Sequence, residues 1–305
     1  MQKIKAFFQL VRWTNLLFII LTQLLYYYCV IVSVLNVVPD HGGTLLLILA
    51  SVAIAAGGYI INDYFDLNID QVNKPERTIL NKIINRRWAI LWHSGLSMLG
   101  LLLTIVALGA QKWYLVLANA ASVLLLWFYS TSLKKRLLLG NVLIALLTAW
   151  TLLIFFFREF SFQAFFAAGP TFGVITRITF MYAAFAFITT LVREAVKDAE
   201  DMEGDRRWGC KTMPIVLGLN ATRLYNAVWL VVLLAALVFL QVYVIRFRWW
   251  LMVFYTVVAI IAPTIMVFRR NLSAVHKHHF AQLSNRLKWV ILAGICSMIF
   301  FHFYF

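Results

Sequence analysis

Residues 44–70 read TLLLILASVAIAAGGYIINDYFDLNID. The first eighteen of these residues carry no charged side chain, whereas Asp63, Asp66 and Asp70 all lie in the last eight. An uncharged apolar run of about 18 residues or more is typical of a membrane-spanning helix. The stretch therefore predicts a helix that crosses a bilayer and then carries three carboxylates to the membrane surface.

The composition of the whole chain points the same way. Of 305 residues, 63% are hydrophobic and 13% are charged, and the mean hydropathy is +0.85. An average soluble domain is roughly 45–50% apolar and about 25% charged. A single water-exposed fold would leave more apolar surface than its core could cover, which excludes an ordinary soluble protein and a disordered chain. Cys29, Cys210 and Cys296 are widely separated, so neither a disulfide scaffold nor a zinc site is indicated.

Nine stretches of the chain approach the length of about 20 mostly apolar residues that a bilayer crossing needs. They are 13–37, 44–61, 88–108, 113–130, 137–157, 176–193, 222–245, 249–268 and 288–305. The first run is too long for the apolar region of a signal peptide and ends without a cleavage site, so we interpret it as a span. We expect an all-α membrane protein whose nine helices surround a central cavity and form a single domain over residues 1–305.

Charge patterning predicts the orientation. If the N-terminus is cytoplasmic, 22 of the 27 basic residues fall on the cytoplasmic side, as the positive-inside rule requires. The net charge of +15 is scattered between apolar runs, which indicates flanks that face membrane lipids and not a nucleic-acid surface. Ten of the 12 acidic residues lie in two cytoplasmic segments. We therefore expect cations to be collected at those two segments.

The two acidic segments share one pattern. Residues 62–70 and 198–205 both contain D-x-x-D-x-x-x-D. On a helix these offsets place the three carboxylates within about 60° of one face, where their repulsion needs cations to offset it. Oxygen donors without His or Cys suit Mg²⁺. The predicted metal ligands are Asn62, Asp63, Asp66, Asp70, Asp198, Asp201 and Asp205, of which Asp66, Asp70, Asp201 and Asp205 are also the predicted catalytic residues.

Two metal clusters that face one anion indicate a diphosphate, because Mg²⁺ commonly bridges carboxylates to substrate phosphates. Basic side chains near the acidic segments would balance the remaining charge. The candidates are Arg77, Lys134, Lys197 and Lys211, with Lys74 close by and Tyr129 one turn before Lys134. Glu200 and Glu203 lie off the shared face and are expected to face solvent. The histidines of 276–279 have no carboxylate nearby, which favours an interfacial anchor over a metal site.

These motifs together resemble the UbiA superfamily of intramembrane prenyltransferases, and the likeness covers essentially the whole chain. Asn62-Asp63-x-x-Asp66-x-x-x-Asp70 carries it in the first half, and Lys197-Asp198-x-Glu200-Asp201-x-Glu203-Gly204-Asp205 carries it in the second. Further matches are Arg12 and Asn15 before the first span, Tyr129-Ser130-x-x-Leu133-Lys134, Leu139-Gly140-Asn141, and Gly209-x-Lys211-Thr212-x-Pro214. The second acidic motif resembles the branch that holds digeranylgeranylglyceryl phosphate synthases. Residues 78–82 depart from the family's usual Pro, Ser and Gly pattern.

The resemblance implies a Mg²⁺-dependent enzyme that transfers a prenyl group from an isoprenyl diphosphate to a lipophilic acceptor within a bacterial or archaeal cytoplasmic membrane. It implies geranylgeranylglyceryl phosphate as acceptor, with an aromatic quinone precursor as the alternative. It also implies that Arg12, Asn15, Asn62 and Tyr129 contact substrate. A cation-coupled transporter is the alternative from another class, but it would place its carboxylates near the bilayer midplane.

A phosphorylated acceptor would bring a second anion into the site. Spare basic groups should then exist at the cytoplasmic rim of the cavity. Arg12, Arg193 and Lys197 are the candidates, and the alternative for all three is that they are ordinary positive-inside flanks.

Overall fold

The computed structural model describes residues 2–73, 75, 79–80, 83–160 and 169–305. In these ranges the chain is helical, and nine helices are long and apolar enough to cross a membrane, which confirms the predicted all-α fold with nine spans. Inside a bilayer the backbone must satisfy its own hydrogen bonds, and a helix does so within one segment. The single-domain organisation stays a prediction.

The helices are numbered in chain order. They are α1 (Gln2–Leu10), α2 (Trp13–Leu35), α3 (His41–Asn73), α4 (Arg86–Leu108), α5 (Trp113–Thr131), α6 (Leu139–Glu159), α7 (Pro170–Glu200), α8 (Met202–Arg207), α9 (Met213–Val216), α10 (Gly218–Ile245), α11 (Trp250–Ser273), α12 (Lys277–Cys296) and α13 (Ile299–Tyr304). Single π-helical turns interrupt α2 and α11, and short 3₁₀ turns cover Ala110–Lys112 and Leu133–Lys135. The ninth span consists of α12 and α13 together.

Close approach of α3 and α4 builds the centre of the bundle. A Cβ on Gly100 would lie 2.6 Å from Ile54 of α3 and 3.0 Å from the Ala50 carbonyl oxygen, so only glycine fits there. A buried hydrogen bond of 3.0 Å joins His93 Nδ1 to the Gly57 carbonyl oxygen across the same interface. Small residues and interhelical hydrogen bonds are how membrane helices associate, because lipid and side chains are equally apolar. This packing fixes α3, which carries the first acidic segment.

The two helices that hold acidic residues extend beyond the apolar spans, and for α3 this confirms the prediction that the helix carries the three carboxylates past the span. The predicted second span ends at residue 61, yet α3 continues through Asn62 and the three aspartates to Asn73 without a break. The predicted sixth span is 176–193, yet α7 runs from Pro170 to Glu200. Ion pairs with Arg12, between α1 and α2, and with Lys134, in the turn after α5, offset the repulsion between the α3 carboxylates, so the helix need not end where its apolar run ends.

The predicted orientation can be tested by cysteine labelling in a background without native cysteines. Arg206→Cys, on exposed α8, should react with a membrane-impermeant maleimide only after the cells are opened. Gln111→Cys, at an exposed position in the connection predicted to lie outside the cell, should react in intact cells. Labelling of Arg206→Cys in intact cells would show that the acidic segments face outwards and would refute the orientation.

Candidate active site

The two acidic segments face one cavity of about 580 Å³. Its lining includes all seven predicted metal ligands: Asn62, Asp63, Asp66 and Asp70 of α3, Asp198 of α7, Asp201 between α7 and α8, and Asp205 of α8. α3 and α7 contribute the carboxylates from positions more than 120 residues apart in sequence. The fold thus brings together two segments whose shared pattern was the main functional signal of the sequence.

On α3, the side chains of Asp63 and Asp66 each have a basic or amide partner. Arg12 Nη2 donates to Asp63 Oδ1 at 2.7 Å, and its guanidinium lies 5.1 Å from the Tyr59 ring centroid. Lys134 donates to Asp66 and, at 3.4 Å, to Asn62 Oδ1. Asn62 Nδ2 also donates to Asp66 Oδ2 at 2.9 Å. Two protein cations therefore sit within the first carboxylate set.

A tight turn sets the position of Lys134. The turn Leu133–Lys135 follows α5, and α6 begins at Leu139 after Leu138 adopts a left-handed conformation (φ 59°). A Cβ on Gly140 would lie 2.8 Å from the Lys134 Cα and 3.1 Å from the Tyr129 ring. Glycine at this position lets α6 approach the turn, and the approach directs Lys134 and Tyr129 into the cavity.

The second acidic segment does not form one helix. α7 ends at Glu200, Asp201 has φ −98° and ψ 8°, and α8 starts at Met202. The prediction that Asp198, Asp201 and Asp205 share one face of a continuous helix is therefore wrong. The change of direction at Asp201 brings Asp205 to the same cavity from a separate short helix.

The flanking glutamates differ from each other. Glu200 was expected to face solvent, but it lines the cavity, because the helix ends directly after it and its side chain stays on the inner side. Glu203 is exposed, as expected, and pairs with Arg207 at 2.7 Å on the surface of α8.

Asn73 joins the two acidic segments. Its Oδ1 accepts a hydrogen bond from the Gly204 N–H at 2.8 Å, and its Nδ2 donates to the Asp201 carbonyl oxygen at 2.9 Å. Lys277 of α12 donates to the Asn73 carbonyl oxygen at 2.9 Å. A Cβ on Gly204 would lie 2.6 Å from the Asn73 carboxamide, so this contact requires glycine. We call these three bonds the Asn73 clasp.

Sequence reasoning missed the Asn73 clasp and also Asn141 of α6, whose Nδ2 donates to Asp198 Oδ2 at 2.8 Å. Signals for both were present. A glycine inside an acidic segment indicates close approach of another backbone or side chain, and a polar residue at the start of an apolar span indicates a buried partner. What the sequence lacks is the identity of each partner, since Asn73 and Gly204 are 131 positions apart.

The remaining predicted substrate contacts are distributed as follows. Arg12, Asn15, Tyr129 and Lys197 line the cavity together with the acidic residues. Lys211 is exposed and is not among the lining residues; its backbone N–H donates to the Lys135 carbonyl oxygen at 2.7 Å. Its predicted role as a phosphate ligand has no support in this arrangement. Arg77 and Lys74 lie outside the described residues.

A second, mostly apolar cavity of about 230 Å³ adjoins the first. The residues that contribute to both linings include Arg12, Asn15, Asn62, Tyr129 and, on α7, Arg193, Glu194 and Lys197. Beyond them the apolar cavity is lined by Phe18, Ile54, Leu126, Leu147, Trp150 and Ile154, among others. The combined space can hold a charged head group at the acidic end and a hydrocarbon chain between the helices.

The oxygen donors fit Mg²⁺. Among the described residues no three acidic, imidazole or thiol side chains stand close enough to enclose an ion, and Arg12, Lys134 and Asn141 are each bonded to one of the aspartates. All six carboxylates and the Asn62 carboxamide nevertheless face one space, and a protein ammonium group already occupies a position between Asn62 and Asp66. Carboxylate and carboxamide oxygens are the hard ligands that Mg²⁺ prefers, and the bound ion would take the place of that ammonium group.

The electrostatics of the cavity favour bound cations. Burial, and then the nearby carboxylates of Asp201 and Asp66, raise the pKa of Asp205 to about 7. A carboxylate with this environment is destabilised when charged, and a divalent cation at the same place would reverse the effect.

The raised pKa predicts how stability depends on pH without divalent cations. In chelator, the Asp205 contribution to the free energy of unfolding should fall as pH rises from 3.8 to about 7, because the folded state binds the proton more tightly than the unfolded state. Asp205→Asn should make the melting temperature depend less on pH over this range. A melting temperature of the wild type that rises throughout the range, with no difference in Asp205→Asn, would contradict this assignment.

The Asn73 clasp predicts a coupled loss of stability and metal affinity. Asn73→Ala removes two hydrogen bonds to buried backbone groups and should lower the free energy of unfolding by about 1–3 kcal/mol. It should also raise the Mg²⁺ concentration needed for half-maximal activity, because the second acidic segment loses its anchor to the first. Asn68→Ala, at an exposed position of the same helix, is the matched control and should change neither quantity. Unchanged Mg²⁺ dependence in Asn73→Ala would show that the clasp does not position the carboxylates.

Comparisons with known proteins agree with this architecture. The sequence matches the UbiA prenyltransferase family over residues 24–292. It is 33% identical over 235 residues to a digeranylgeranylglyceryl phosphate synthase from Sulfurisphaera tokodaii, which covers 76% of each chain. It is 35% identical over 218 residues to a protein of the same name from Ignicoccus hospitalis, covering 71% of this chain and 65% of the relative.

Solved structures share the fold. A structure concerned with digeranylgeranylglyceryl phosphate synthase in membranes superposes with a TM-score of 0.62 at 24% identity, covering 98% of this chain and 99% of the other. A UbiA homolog from Archaeoglobus fulgidus bound to DMAPP and Mg²⁺ superposes with a TM-score of 0.57 at 15% identity, covering 96% and 99%.

Proposed function

The chain belongs to the UbiA prenyltransferase family, and from this premise we propose that it transfers a prenyl group from an isoprenyl diphosphate to geranylgeranylglyceryl phosphate, with Mg²⁺ as cofactor. It is a multi-pass integral membrane protein and a prenyltransferase. The observation that carries the proposal is the junction of a carboxylate-lined cavity with an apolar one. The acceptor follows from the names of the relatives, and an aromatic quinone precursor is the alternative.

The residues of the carboxylate-lined cavity would bind the diphosphate end of the prenyl donor. Asp63, Asp66 and Asp70 with Asn62 on one side, and Asp198, Asp201 and Asp205 on the other, would hold Mg²⁺ against the diphosphate. When bound, Mg²⁺ neutralises the negative charge that develops on the departing diphosphate. Lys134 reaches the same place from the turn after α5 and adds a fixed positive charge there.

The apolar cavity has two roles in this proposal. Its hydrocarbon lining binds the prenyl chain, and it keeps water away from the carbon that loses the diphosphate. Tyr129 and Asn15 lie where the two cavities meet, so they contact the substrate near its reacting bond. As the bond between the allylic carbon and the diphosphate breaks, the acceptor hydroxyl, and not water, forms the new C–O bond, and its proton is taken up by the departing diphosphate.

The proposal predicts that single carboxylates are indispensable. Asp66→Asn and Asp201→Asn should each lower kcat at least about a hundredfold, because each removes one electrostatic stabiliser of the leaving group. Glu203→Gln is the matched control, since it removes an acidic side chain that is exposed and belongs to neither cavity. Chelation of divalent cations should abolish turnover of the wild type. Undiminished prenyl transfer in excess chelator would overturn the assignment.

The acceptor is tested by product analysis. Purified protein with geranylgeranyl diphosphate is offered geranylgeranylglyceryl phosphate, a hydroxybenzoate and a naphthoate, and the products are identified by mass. We expect prenylation of the glyceryl lipid. Efficient prenylation of an aromatic acid, with the glyceryl lipid left unchanged, would replace the lipid acceptor with the quinone precursor.

A further inference from the structure

Three charged residues on α7 form a cluster that has no part in the metal and diphosphate contacts proposed above, although Lys197 was first predicted from the sequence as a diphosphate contact. Glu194 Oε1 accepts from Lys197 Nζ at 2.7 Å and from Arg193 Nη1 at 3.3 Å. The side chains of Arg193, Glu194 and Lys197 are only 13%, 12% and 25% exposed. We call these three residues the α7 charge cluster. Ionisable groups inside a membrane span are costly and usually functional.

The α7 charge cluster has a formal net charge of +1, because two basic side chains are paired with one carboxylate. Two cations share one carboxylate oxygen, and Arg193 Nε is buried with no hydrogen-bond acceptor among the described residues. Lys288 of α12 lines the same two cavities. A surplus charge and an unused donor in a low-dielectric site are unfavourable unless an anion joins them. Arginine and lysine together suit a phosphate monoester, which carries up to two negative charges.

The position of the cluster separates it from the diphosphate contacts. Its members line both cavities, whereas Lys134, Asp66 and Asp205 line only the acidic one. Along α7, Arg193 lies about 12 Å before Asp201, at a rise of 1.5 Å per residue. An anion at the cluster would therefore sit beside the junction, on the side of the apolar cavity, while the diphosphate occupies the acidic end.

We propose that Arg193 and Lys197, held together by Glu194, bind the phosphate group of the acceptor lipid. This inference rests on the proposed function, since it concerns the second substrate of the same site. In a glyceryl phosphate lipid the acceptor hydroxyl and the phosphate are on neighbouring carbons. Fixing the phosphate at the cluster would place that hydroxyl next to the junction, where the allylic carbon of the donor leaves its diphosphate.

Arg12 is a weaker candidate for the same role than the sequence suggested. Its guanidinium is bonded to Asp63 and packs on Tyr59. A variant of Arg12 would disturb a predicted metal ligand as well as any acceptor contact. Arg193 and Lys197 have no bond to the six aspartates among the described contacts, so their variants separate the two effects.

The test compares KM values for two substrates. Arg193→Gln and Lys197→Gln should each raise the KM for geranylgeranylglyceryl phosphate about tenfold or more, the usual scale of a charge-assisted hydrogen bond. The KM for geranylgeranyl diphosphate should stay within about twofold of the wild type. Lys197→Arg should restore most of the loss. Arg207→Gln, which removes a cation paired with a glutamate on the exposed face of α8, is the matched control.

A binding measurement in chelator makes the test independent of turnover and of folding. Geranylgeranylglyceryl phosphate should raise the melting temperature of the wild type more than geranylgeranylglycerol does, and the two variants should lose this difference. Equal shifts for the two lipids in the wild type would overturn the inference, as would variants that raise both KM values equally. Failure of the proposed function is distinguishable, because wild-type protein would then form no prenylated lipid whatever the melting curves show.

Discussion

The repulsion between carboxylates buried beside an apolar bundle is the constraint on which the rest of the site depends. Asp63, Asp66 and Asp198 each have a basic or amide partner, and each partner is supplied by a different part of the chain. Without such partners the acidic segments would be pushed towards solvent, away from the helices that carry them. The same excess of negative charge gives the cavity its affinity for divalent cations. The negative charge of these carboxylates thus destabilises the folded protein and also binds the cations that the reaction requires.

The two acidic segments meet this constraint in different ways. α3 extends its span as one continuous helix and relies on ion pairs with Arg12 and Lys134. The second segment breaks at Asp201 and is held by the Asn73 clasp, which binds its backbone and leaves its carboxylates to the cavity. The first acidic segment is therefore fixed by ion pairs, and the second is attached to the first through the hydrogen bonds of the Asn73 side chain.

Periodicity and charge predicted much of this from the sequence. The spacing of Asp63, Asp66 and Asp70 predicted a shared helical face, and Lys134 was predicted because it follows the fourth span on the cytoplasmic side, about one turn after Tyr129. The partners of Asn73 and Asn141 were beyond reach, because hydrogen bonds across 131 and 57 positions leave no local pattern. The helix break at Asp201 was missed for a similar reason, since tertiary contacts overrode a favourable helical spacing. Arg193, at the end of the predicted sixth span, was interpreted from the sequence as a candidate anion contact, whereas Glu194 directly after it was given no role.

The central claim is that both acidic segments hold divalent cations against one diphosphate, and counting those cations tests it most directly. Mn²⁺ can be titrated into purified protein in the presence and absence of a non-reactive prenyl diphosphate analogue, with free ion followed by electron paramagnetic resonance. The account predicts about two tightly bound Mn²⁺ per chain with the analogue and much weaker binding without it, because the diphosphate bridges the two carboxylate sets. Tight binding that is unaffected by the analogue, or none with it, would contradict the account.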